Sequence, residues 1–351
     1  MNALVTGGSG YFGSLLVARL LEQLPEKGGT VRVLDLVDTD DRPRAVEFVA
    51  GDIRDAAVVR EACTGMDVVF HNVAQVPLAR DASLTRSVNI TGTEVLLGAC
   101  EAVGVGKVVS TSSSAVFGVP EHNPVMPDTP PHPREPYGQA KLEAEYLCRA
   151  AVSRGLDVTI IRPRTILGHG RLGIFAILFD WIADGIDVFV LGAGDNVYQF
   201  VHADDLADAC ILAGARPGPS TYNIGAGEFG TMRATLESLC AHAGTGSRVR
   251  SLPAGLAASA MRLTSAAGLT PFANYHWLMY GKSMWFDTEN AERDLGWKAR
   301  WSNAEMFEQS YDWFLEHRAN LSSEGASQHR SATRQGVLSA VKTMLKATRR
   351  G

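Results

Sequence analysis

The sequence predicts an α/β protein built on a parallel sheet that helices cover on both faces. Short apolar runs rich in Val, Ile and Leu alternate with segments of helical period through the first two-thirds of the chain. A glycine-rich turn links the first apolar run to the first helical segment. Continuous apolar runs are typical of strands buried on both faces, and their alternation with helices indicates right-handed βαβ units. We therefore expect a doubly wound parallel sheet.

The elements of this sheet are predicted in chain order from their length and hydrophobic period. Buried strands are predicted at residues 2–5, 30–34, 46–49, 68–70, 107–111 and 158–161. Helices are predicted between them at residues 14–23, 56–63, 88–103 and 136–153. Together these elements make residues 1–165 a first domain.

The second half of the chain is predicted to be less regular. After Arg162-Pro163 several glycines interrupt the pattern, and one further helix is predicted at residues 175–183. We assign residues 166–318 mainly to a smaller C-terminal subdomain that binds the substrate. Short runs at residues 200–202 and 222–225 are predicted to be strands that return to the main sheet, so residues 196–226 are expected to rejoin the first domain.

Composition excludes several classes of protein. The 351 residues are 46% hydrophobic and carry a net charge of −5, which is too apolar for a disordered chain and provides no basic field for nucleic acid. The five cysteines are scattered without a CxxC pair, so we expect a reducing cytoplasm and no zinc site. His71, His169 and His202 are too dispersed to predict a metal site, and packing or hydrogen bonding is the expected role. No apolar run is long enough to span a bilayer.

Residues 319–351 are predicted to form a basic tail. The apolar residues Val337, Leu338, Val341, Met344 and Leu345 fall on one helical face, with basic residues beside it. A short amphipathic helix of this kind suits a peripheral contact with an acidic membrane surface or a protein partner. The alternative, a solvated or self-packed helix, is more common in proteins.

The glycine-rich turn predicts a dinucleotide site. It reads Thr6-Gly7-Gly8-Ser9-Gly10-Tyr11-Phe12-Gly13 between the first strand and the first helix. Glycines at this spacing let backbone N–H groups and the helix N-terminus approach a pyrophosphate, as in a Rossmann-type sheet. Asp35, 22 residues after Gly13, suits a ribose diol and repels a 2′-phosphate, so NAD is favoured over NADP. Arg42 and Arg44 follow in the next loop and could still neutralise such a phosphate.

Asp52 is a second candidate for the adenosine end of the cofactor. It follows the third predicted strand, where it is well placed to meet an adenine amino group. The alternative is that it only caps the following helix.

Tyr137 and Lys141 predict the chemistry. A spacing of four residues places both on one face of a helix, and a cation beside a phenol favours the phenolate form. Tyr137 is therefore a candidate general acid and base. The run Ser110-Thr111-Ser112-Ser113-Ser114 ends a predicted strand, where hydroxyls face the ligand crevice of an open α/β sheet. A dinucleotide, a base and a hydroxyl together indicate hydride transfer at a secondary alcohol carbon, with no metal required.

Several segments between Met1 and about Arg318 resemble the extended short-chain dehydrogenase/reductase superfamily, in its NAD-dependent epimerase/dehydratase branch. Besides the glycine turn, Tyr137 and Lys141, they are Gly51-Asp52-Ile53-Arg54-Asp55, His71-Asn72-Val73-Ala74, Asn89-Ile90-Thr91-Gly92-Thr93, Phe200-Val201-His202-Ala203-Asp204-Asp205 and Leu295-Gly296-Trp297. The resemblance implies a triad of Ser113, Tyr137 and Lys141, in which Lys141 also binds the nicotinamide ribose. It implies a bracing role for Asn89 and a homodimer formed through helices 88–103 and 136–153.

The glycine motif and the resemblance together predict a set of cofactor-binding residues. They are Gly7, Gly10, Tyr11, Phe12, Gly13, Asp35, Asp52, Ile53, Val73, Ala74, Tyr137, Lys141 and Pro163.

The resemblance also reduces the number of reactions expected for this chain. Dehydratases of this branch carry an Asp-Glu pair after the hydroxyl and related decarboxylases keep the glutamate, whereas this chain has Ser114 and Ala115, so both reactions are disfavoured. The residues that bind the diphosphate in sugar-nucleotide epimerases are altered here, at Arg162-Pro163-Arg164-Thr165, Tyr198-Gln199 and Tyr280-Gly281-Lys282-Ser283. The Arg162-Pro163 pair that begins the first of these segments, and an apolar region at residues 256–277, instead resemble hydroxysteroid dehydrogenase-like relatives.

Candidate substrate-binding residues are Gln75, Ser114, Arg164, Thr165, Arg171 and Gln199.

Three functions remain open from the sequence. The first is an NAD-dependent nucleotide-sugar epimerase of the 4-epimerase type, which oxidises and re-reduces one carbon. The second is a hydroxysteroid-dehydrogenase-like dehydrogenase or reductase of a hydrophobic secondary alcohol. The third is a non-catalytic dinucleotide sensor, which the presence of both Tyr137 and Lys141 disfavours.

Overall fold

The computed structural model describes residues 1–23, 28–75, 81–173, 175–253 and 281–324. The predicted apolar region at 256–277, and the tail beyond residue 324, lie outside the described residues. No helix in the described part is both long and apolar enough to cross a membrane.

The strands are numbered in chain order. They are β1 Ala3–Thr6, β2 Val31–Asp35, β3 Val46–Ala50, β4 Val68–His71, β5 Lys107–Thr111, β6 Val158–Pro163, β7 Thr165–Leu167, β8 Val188–Leu191, β9 Val197–Tyr198, β10 Phe200–His202, β11 Ser220–Ile224, β12 Gly230–Thr231 and β13 Val249–Leu252.

The α-helices are numbered in the same way. They are α1 Tyr11–Gln23, α2 Ala56–Cys63, α3 Ala82–Arg86, α4 Gly92–Val103, α5 Pro136–Ser153, α6 Phe175–Ala183, α7 Ala203–Ala215, α8 Met232–Ala243, α9 Glu289–Leu295 and α10 Asn303–Glu324. A π-helical turn, Ser87–Thr91, precedes α4, and a 3₁₀ turn, Ser114–Phe117, follows β5.

The first compact unit comprises Met1–Arg164, Ala203–Gly225 and Phe286–Ala299. It contains a seven-stranded sheet in the order β3-β2-β1-β4-β5-β6-β11, with every neighbouring pair parallel. Helix α1 packs on α7, while α4 packs on both α2 and α5. The predicted doubly wound parallel sheet is confirmed. Its strand order reverses between β1 and β4, the place where such sheets bind ligands at their carboxyl ends.

The second compact unit comprises Thr165–His202, Ala226–Trp285 and Arg300–Gly351. Its described strands form three pairs, β7 with β10, β8 with β13 and β9 with β12. Helices α6, α8 and α10 pack around an aromatic cluster in which Phe175, Phe179, Phe200 and Phe307 meet edge to face or stacked. Rings that interlock in this way fill a small core with large apolar area.

One predicted strand lies elsewhere than expected. Residues 200–202 form β10, which pairs with β7 in the second unit and not with the main sheet. The expected assignment of 196–226 to the first domain is therefore wrong for 196–202. The main-sheet edge beside β6 is occupied by β11, as predicted for residues 222–225, and Phe200 packs instead against Phe175 and Phe307.

A second segment was missed by the sequence reasoning. Residues Phe286–Ala299 belong to the first unit, where α9 packs on α7 and β11. The buried indole of Trp297 donates to the carbonyl oxygen of Asp205 at 2.8 Å, and Asn290 Nδ2 donates to the carbonyl oxygen of Thr221. These long-range bonds hold the segment against the sheet.

Candidate active site

The glycine turn between β1 and α1 is built so tightly that three of its positions exclude side chains. Gly7 has φ +72° and lies against the backbone of Val73. A Cβ at Gly8 would meet the Val33 side chain at 2.5 Å, and one at Gly13 would meet the carbonyl oxygen of Gly7 at 2.0 Å. The glycines therefore let the start of α1 fold back onto the turn.

The N-terminus of α1 suits an anion. No acidic residue stands in its first turn, so the positive end of the helix dipole is not neutralised from within the helix. Tyr11 and Phe12 are buried and fix the first turn against the core. The tight turn and the unneutralised helix end fit the diphosphate of a dinucleotide.

Asp35 ends β2 and reaches back to this turn. Its Oδ2 accepts from the Ser9 backbone N–H at 3.0 Å, and its Oδ1 accepts from the Leu36 N–H at 2.7 Å. These bonds fix a half-exposed carboxylate beside the turn, and each of its oxygens has a further lone pair that can accept a hydrogen bond.

Asp52 and Ile53 follow β3. The Asp52 carboxylate accepts from both the backbone N–H and the Nε of Arg54, and this guanidinium lowers the pKa of Asp52. Ile53 is buried against Gly92, where a Cβ would meet its Cγ2 at 2.6 Å. Arg54 thus holds the loop after β3, a partner that the sequence reasoning did not assign to Asp52.

The end of β4 is tied to β1 through a buried histidine. His71 Nδ1 lies 2.9 Å from Thr6 Oγ1, and its Nε2 lies 3.0 Å from Thr93 Oγ1. Because Thr93 Oγ1 donates to the Asn89 carbonyl oxygen, it is free to accept from His71 Nε2. Burial, assisted by the charge of Lys141, lowers the pKa of His71 to about 3, so the ring is neutral. The predicted hydrogen-bonding role of His71 agrees with this geometry.

The backbone after β4 is braced by Asn89. This buried side chain lies in the π-helical turn, accepts from the Gln75 N–H at 2.8 Å and donates to the Gln75 carbonyl oxygen at 3.1 Å. Val73 and Ala74 lie just before the braced residue, with the Val73 N–H 3.5 Å from Thr6 Oγ1. The expected bracing role of Asn89 thus has a defined target, the backbone of Gln75.

The serine run after β5 divides into different roles. Ser112 Oγ donates to Glu145 Oε1 at 2.6 Å. Ser113 caps the 3₁₀ turn, and its Oγ accepts from the Ala115 N–H at 3.2 Å. Ser114 and Ala115 are both buried in that turn. A Ser113 hydroxyl that accepts from the backbone keeps its own proton for another acceptor.

Tyr137 stands in the first turn of α5, and that turn is pressed against the serine turn. A Cβ at Gly138 would lie 2.4 Å from the Ala115 carbonyl oxygen, so only glycine allows this approach. Glu135 caps the helix and accepts from the backbone N–H groups of Tyr137 and Gly138. Burial raises the pKa of this carboxyl group. The sequence elements that carry Ser113 and Tyr137 are thereby held together.

Lys141 lies one helical turn after Tyr137 and is buried. Its Nζ donates to the Thr111 carbonyl oxygen at 2.8 Å. Burial lowers the pKa of Lys141 to about 8, against the opposing influence of Cys148 and Glu145. The amine therefore remains mostly charged at neutral pH and loses its proton only a little above it.

A buried ion pair supports this helix one turn further on. Arg162 Nε and Nη2 donate to the two carboxylate oxygens of Glu145 at 2.8 and 2.7 Å. Arg162 also donates to the Pro127 carbonyl oxygen, and its guanidinium lies over the Phe117 ring. The pair joins β6, α5 and the serine turn in one network.

Comparison with known proteins fits this geometry. The model of the "NAD dependent epimerase/dehydratase family" matches residues 3–225, which is well over half of the chain. The chain belongs to the NAD-dependent epimerase/dehydratase family. It is therefore an enzyme of the extended short-chain dehydrogenase/reductase superfamily, as the sequence motifs predicted.

Several relatives of this family member are similar over much of its length. An uncharacterized protein, y4nG, of Sinorhizobium fredii is 52% identical over 96% of this chain and 84% of its own. A UDP-glucose 4-epimerase of Mycolicibacterium smegmatis is 34% identical over 65% of this chain and 78% of its own. A dTDP-glucose 4,6-dehydratase of Streptomyces antibioticus is 30% identical over 91% and 94%. A mouse protein named sterol-4-alpha-carboxylate 3-dehydrogenase, decarboxylating, is 32% identical over 60% of this chain and 58% of its own.

Solved structures of the family share the fold. A UDP-glucose 4-epimerase of Thermotoga maritima, determined with UDP-glucose, has a TM-score of 0.74 at 25% identity and covers 91% of this chain and all of its own. The dTDP-glucose 4,6-dehydratase DesIV of Streptomyces venezuelae, determined with NAD bound, has a TM-score of 0.72 at 28% identity and covers 91% and 98%. Structural neighbours of this enzyme therefore bind NAD and nucleotide sugars.

The remaining predicted residues lie in two places. Pro163 ends β6, and Arg164 follows it, buried with its guanidinium 5.4 Å from the Phe286 ring centroid. In the second unit, Thr165 Oγ1 lies 3.0 Å from the Tyr198 hydroxyl, and the buried Gln199 donates to the Ala226 carbonyl oxygen at 2.7 Å. Arg171 lies in the loop before α6. Substrate contacts at these positions stay predictions.

Sequence reasoning missed several supporting residues of the site. Glu145 could have been found, because it continues the four-residue spacing of Tyr137 and Lys141 along the same helix face. Glu135 directly precedes Pro136, which is the usual order of a helix cap and a first helical residue. No local sequence pattern predicts that Arg162 pairs with Glu145, because the two residues come together only when the chain is folded.

Proposed function

We propose that this enzyme binds NAD and transfers a hydride reversibly at a secondary alcohol carbon of a nucleotide sugar, as a 4-epimerase. The observation that carries the hydride-transfer chemistry is the contact of Gly138 with the Ala115 carbonyl oxygen, which holds the Tyr137 turn against the Ser113 turn. Relatives named UDP-glucose 4-epimerase and dTDP-glucose 4,6-dehydratase support the substrate class.

The proposed mechanism assigns one task to each side chain. Tyr137 removes the proton of the substrate hydroxyl when the alcohol is oxidised and returns it when the ketone is reduced. Lys141, charged at neutral pH, stabilises the phenolate of Tyr137. Ser113 donates a hydrogen bond to the reacting oxygen. NAD, when bound, supplies the hydride acceptor. If the ketone rotates so that its opposite face receives the returning hydride, the configuration at that carbon is inverted.

Dehydration fits this site less well than epimerisation. Elimination needs an acid and a base near the neighbouring carbons, and the two positions after Ser113 hold a serine and an alanine, both buried. Ala115 has no group that can carry a proton. This favours the 4-epimerase among the activities named for the relatives.

We infer that the cofactor is NAD and not NADP. Asp35 presents a carboxylate beside the glycine turn, and Arg42 is already engaged by both carboxylate oxygens of Asp38 and by the Val46 carbonyl oxygen. Val46 pairs with Val31, four residues before Asp35 on β2, so this bond directs Arg42 away from the carboxyl end of the strand. The wild-type enzyme is expected to bind NADH at least about tenfold more tightly than NADPH in a fluorescence titration.

A dehydrogenase or reductase of a hydrophobic secondary alcohol is the second candidate. Two positions that correspond to diphosphate-binding segments of sugar-nucleotide epimerases contact other groups here. Arg164 lies over the Phe286 ring, and Gln199 donates to the Ala226 carbonyl oxygen. The sterol dehydrogenase relative points in the same direction. The dehydrogenase would exchange its dinucleotide in every turnover, whereas an epimerase would not.

We also propose a homodimer formed through the outer faces of α4 and α5. Tyr146 on α5 is 52% exposed and stacks with Arg149, which offers an aromatic contact on that face. Light scattering on the purified enzyme would report twice the chain mass if this is correct, and the single chain mass if it is not.

The function is tested by incubating the enzyme with UDP-glucose and with dTDP-glucose, without added dinucleotide, and separating the products. Appearance of the C4 epimer supports the proposal. Loss of water from the sugar would indicate a dehydratase. No change with either sugar, together with reduction of added NAD by hydrophobic alcohols, would establish the second candidate instead.

A further inference from the structure

Asn72 lies at the reversal of the strand order, and the mechanism above does not use it. It directly follows β4, whose neighbours are β1 and β5. Its backbone N–H donates to the carbonyl oxygen and the Oγ1 of Thr6, the residue before the glycine turn. Ligands bind such sheets at the carboxyl ends of the strands on either side of this reversal.

The side chain of Asn72 is oriented by Thr111. Thr111 Oγ1 lies 2.6 Å from Asn72 Oδ1 and donates to it. Because Asn72 accepts through its oxygen, the carboxamide oxygen is fixed toward Thr111 and the amino group points away from it.

The amino group of Asn72 has no hydrogen-bond partner among the described residues, although its nitrogen is buried. A buried donor without a partner costs free energy, and in a ligand-binding protein a ligand commonly satisfies it. The surroundings are those of the cofactor site. Thr6 leads into the glycine turn, and the Thr111 carbonyl oxygen holds Lys141.

We propose that Asn72 is a cofactor-binding residue whose side-chain amino group donates a hydrogen bond to an oxygen of the bound dinucleotide, between its diphosphate and its nicotinamide ring. The inference rests on the proposed NAD-dependent function. Asn72 then fixes the nicotinamide half of the cofactor, while the glycine turn and Asp35 fix the adenosine half.

The test is a pair of measurements on Asn72→Leu, NADH affinity by fluorescence titration and the Tm of the dinucleotide-free protein. Removing the donor should weaken NADH binding about 10- to 100-fold, because one hydrogen bond to the ligand is lost. The Tm of the free protein should be unchanged or higher, because the unsatisfied donor has been removed. The isosteric Asn72→Asp should weaken NADH binding at least as much.

Two further variants control this experiment. Asn290→Leu removes an amide on α9 whose Nδ2 donates to Thr221, so it should lower the Tm and leave NADH affinity unchanged. Thr111→Val should weaken NADH binding by a few-fold because Asn72 loses its orientation, and Thr111→Ser should restore it.

NADH affinity of Asn72→Leu within twofold of the wild type would overturn the inference, and so would a lowered Tm with unchanged affinity. Failure of the wild type to bind NADH would instead contradict the proposed function itself. The two failures are therefore distinguishable.

Discussion

At the scale of single residues, the site contains two basic groups whose pKa burial lowers to different values. Burial, assisted by the charge of Lys141, lowers the pKa of His71 to about 3, so the ring is neutral. Burial lowers the pKa of Lys141 only to about 8, because Cys148 and Glu145 oppose it, and the amine keeps its proton at neutral pH. Of these two groups, Lys141 is therefore the one that can supply the positive charge the proposed mechanism requires.

Tyr137→Phe is expected to lower turnover by about two to four orders of magnitude, the usual contribution of a positioned acid and base. NADH affinity should change little, because the glycine turn and Asp35 are untouched. Turnover and NADH binding measured on the same preparation check this. A variant that retains most of its turnover would rule out Tyr137 as the acid and base.

His71 should make the enzyme less stable in mild acid. Its pKa is about 3 in the folded protein and 6.5 otherwise, so below pH 6.5 the unfolded chain binds a proton that the native state does not. Stability from this group is complete above pH 6.5 and falls as the pH drops below it, by up to about 1.4 kcal/mol per pH unit.

The measurement is urea unfolding at pH 7.5 and 5.5 for the wild type and His71→Gln. The wild type should lose about 1.4 kcal/mol more than the variant between the two pH values. Equal losses would show that His71 is already protonated in the folded enzyme.

At the scale of elements, helix α5 is the part that organises the site. Glu135 caps its first turn, Gly138 lets that turn approach the Ala115 carbonyl oxygen, and the buried Glu145 pairs with Arg162 on β6. Tyr137 and Lys141 are carried on the same helix between these attachments. The positions of Tyr137 and Lys141 therefore depend on the contacts of Gly138 and Glu145 along the same helix.

Two glutamates of α5 offer a matched comparison. Glu145 pairs with Arg162 at side-chain exposures of 2% and 1%, whereas Glu143 pairs with Arg86 at 40% and 55%. Glu145→Gln should cost about 3–5 kcal/mol of unfolding free energy, since it leaves a buried guanidinium without its counter-charge. Glu143→Gln should cost at most about 1 kcal/mol. Chemical denaturation of both variants measures the difference, and similar losses would contradict the role given to the buried pair.

The sequence predicts local features of these elements well and distant pairings poorly. Strands β1 to β6 follow from apolar runs, and the glycine turn and the Tyr137 spacing follow from their local chemistry. Two features do not follow from the sequence: the pairing of β10 with β7, and the place of Phe286–Ala299 in the first unit. A short apolar run does not indicate which sheet edge it will join. The bond between Thr6 and His71 spans 65 residues and the Glu145–Arg162 pair joins a helix to a strand, so neither has a local signal.

At the scale of the whole molecule, the first unit contains the predicted triad and all of the predicted cofactor-binding residues. The predicted substrate residues are divided, with Gln75, Ser114 and Arg164 in the first unit and Thr165, Arg171 and Gln199 in the second. The predicted cofactor residues thus lie in one unit, whereas the match to the family model, residues 3–225, also includes Thr165–His202 of the second unit.

In the proposed epimerase cycle the hydride leaves and returns within one turnover, so the dinucleotide stays bound. The most direct measurement is to denature freshly purified enzyme and quantify the released dinucleotide by absorbance and mass. We expect close to one NAD per chain, with little NADP. An empty enzyme that binds and exchanges NAD(H) freely would contradict it and would identify a dehydrogenase.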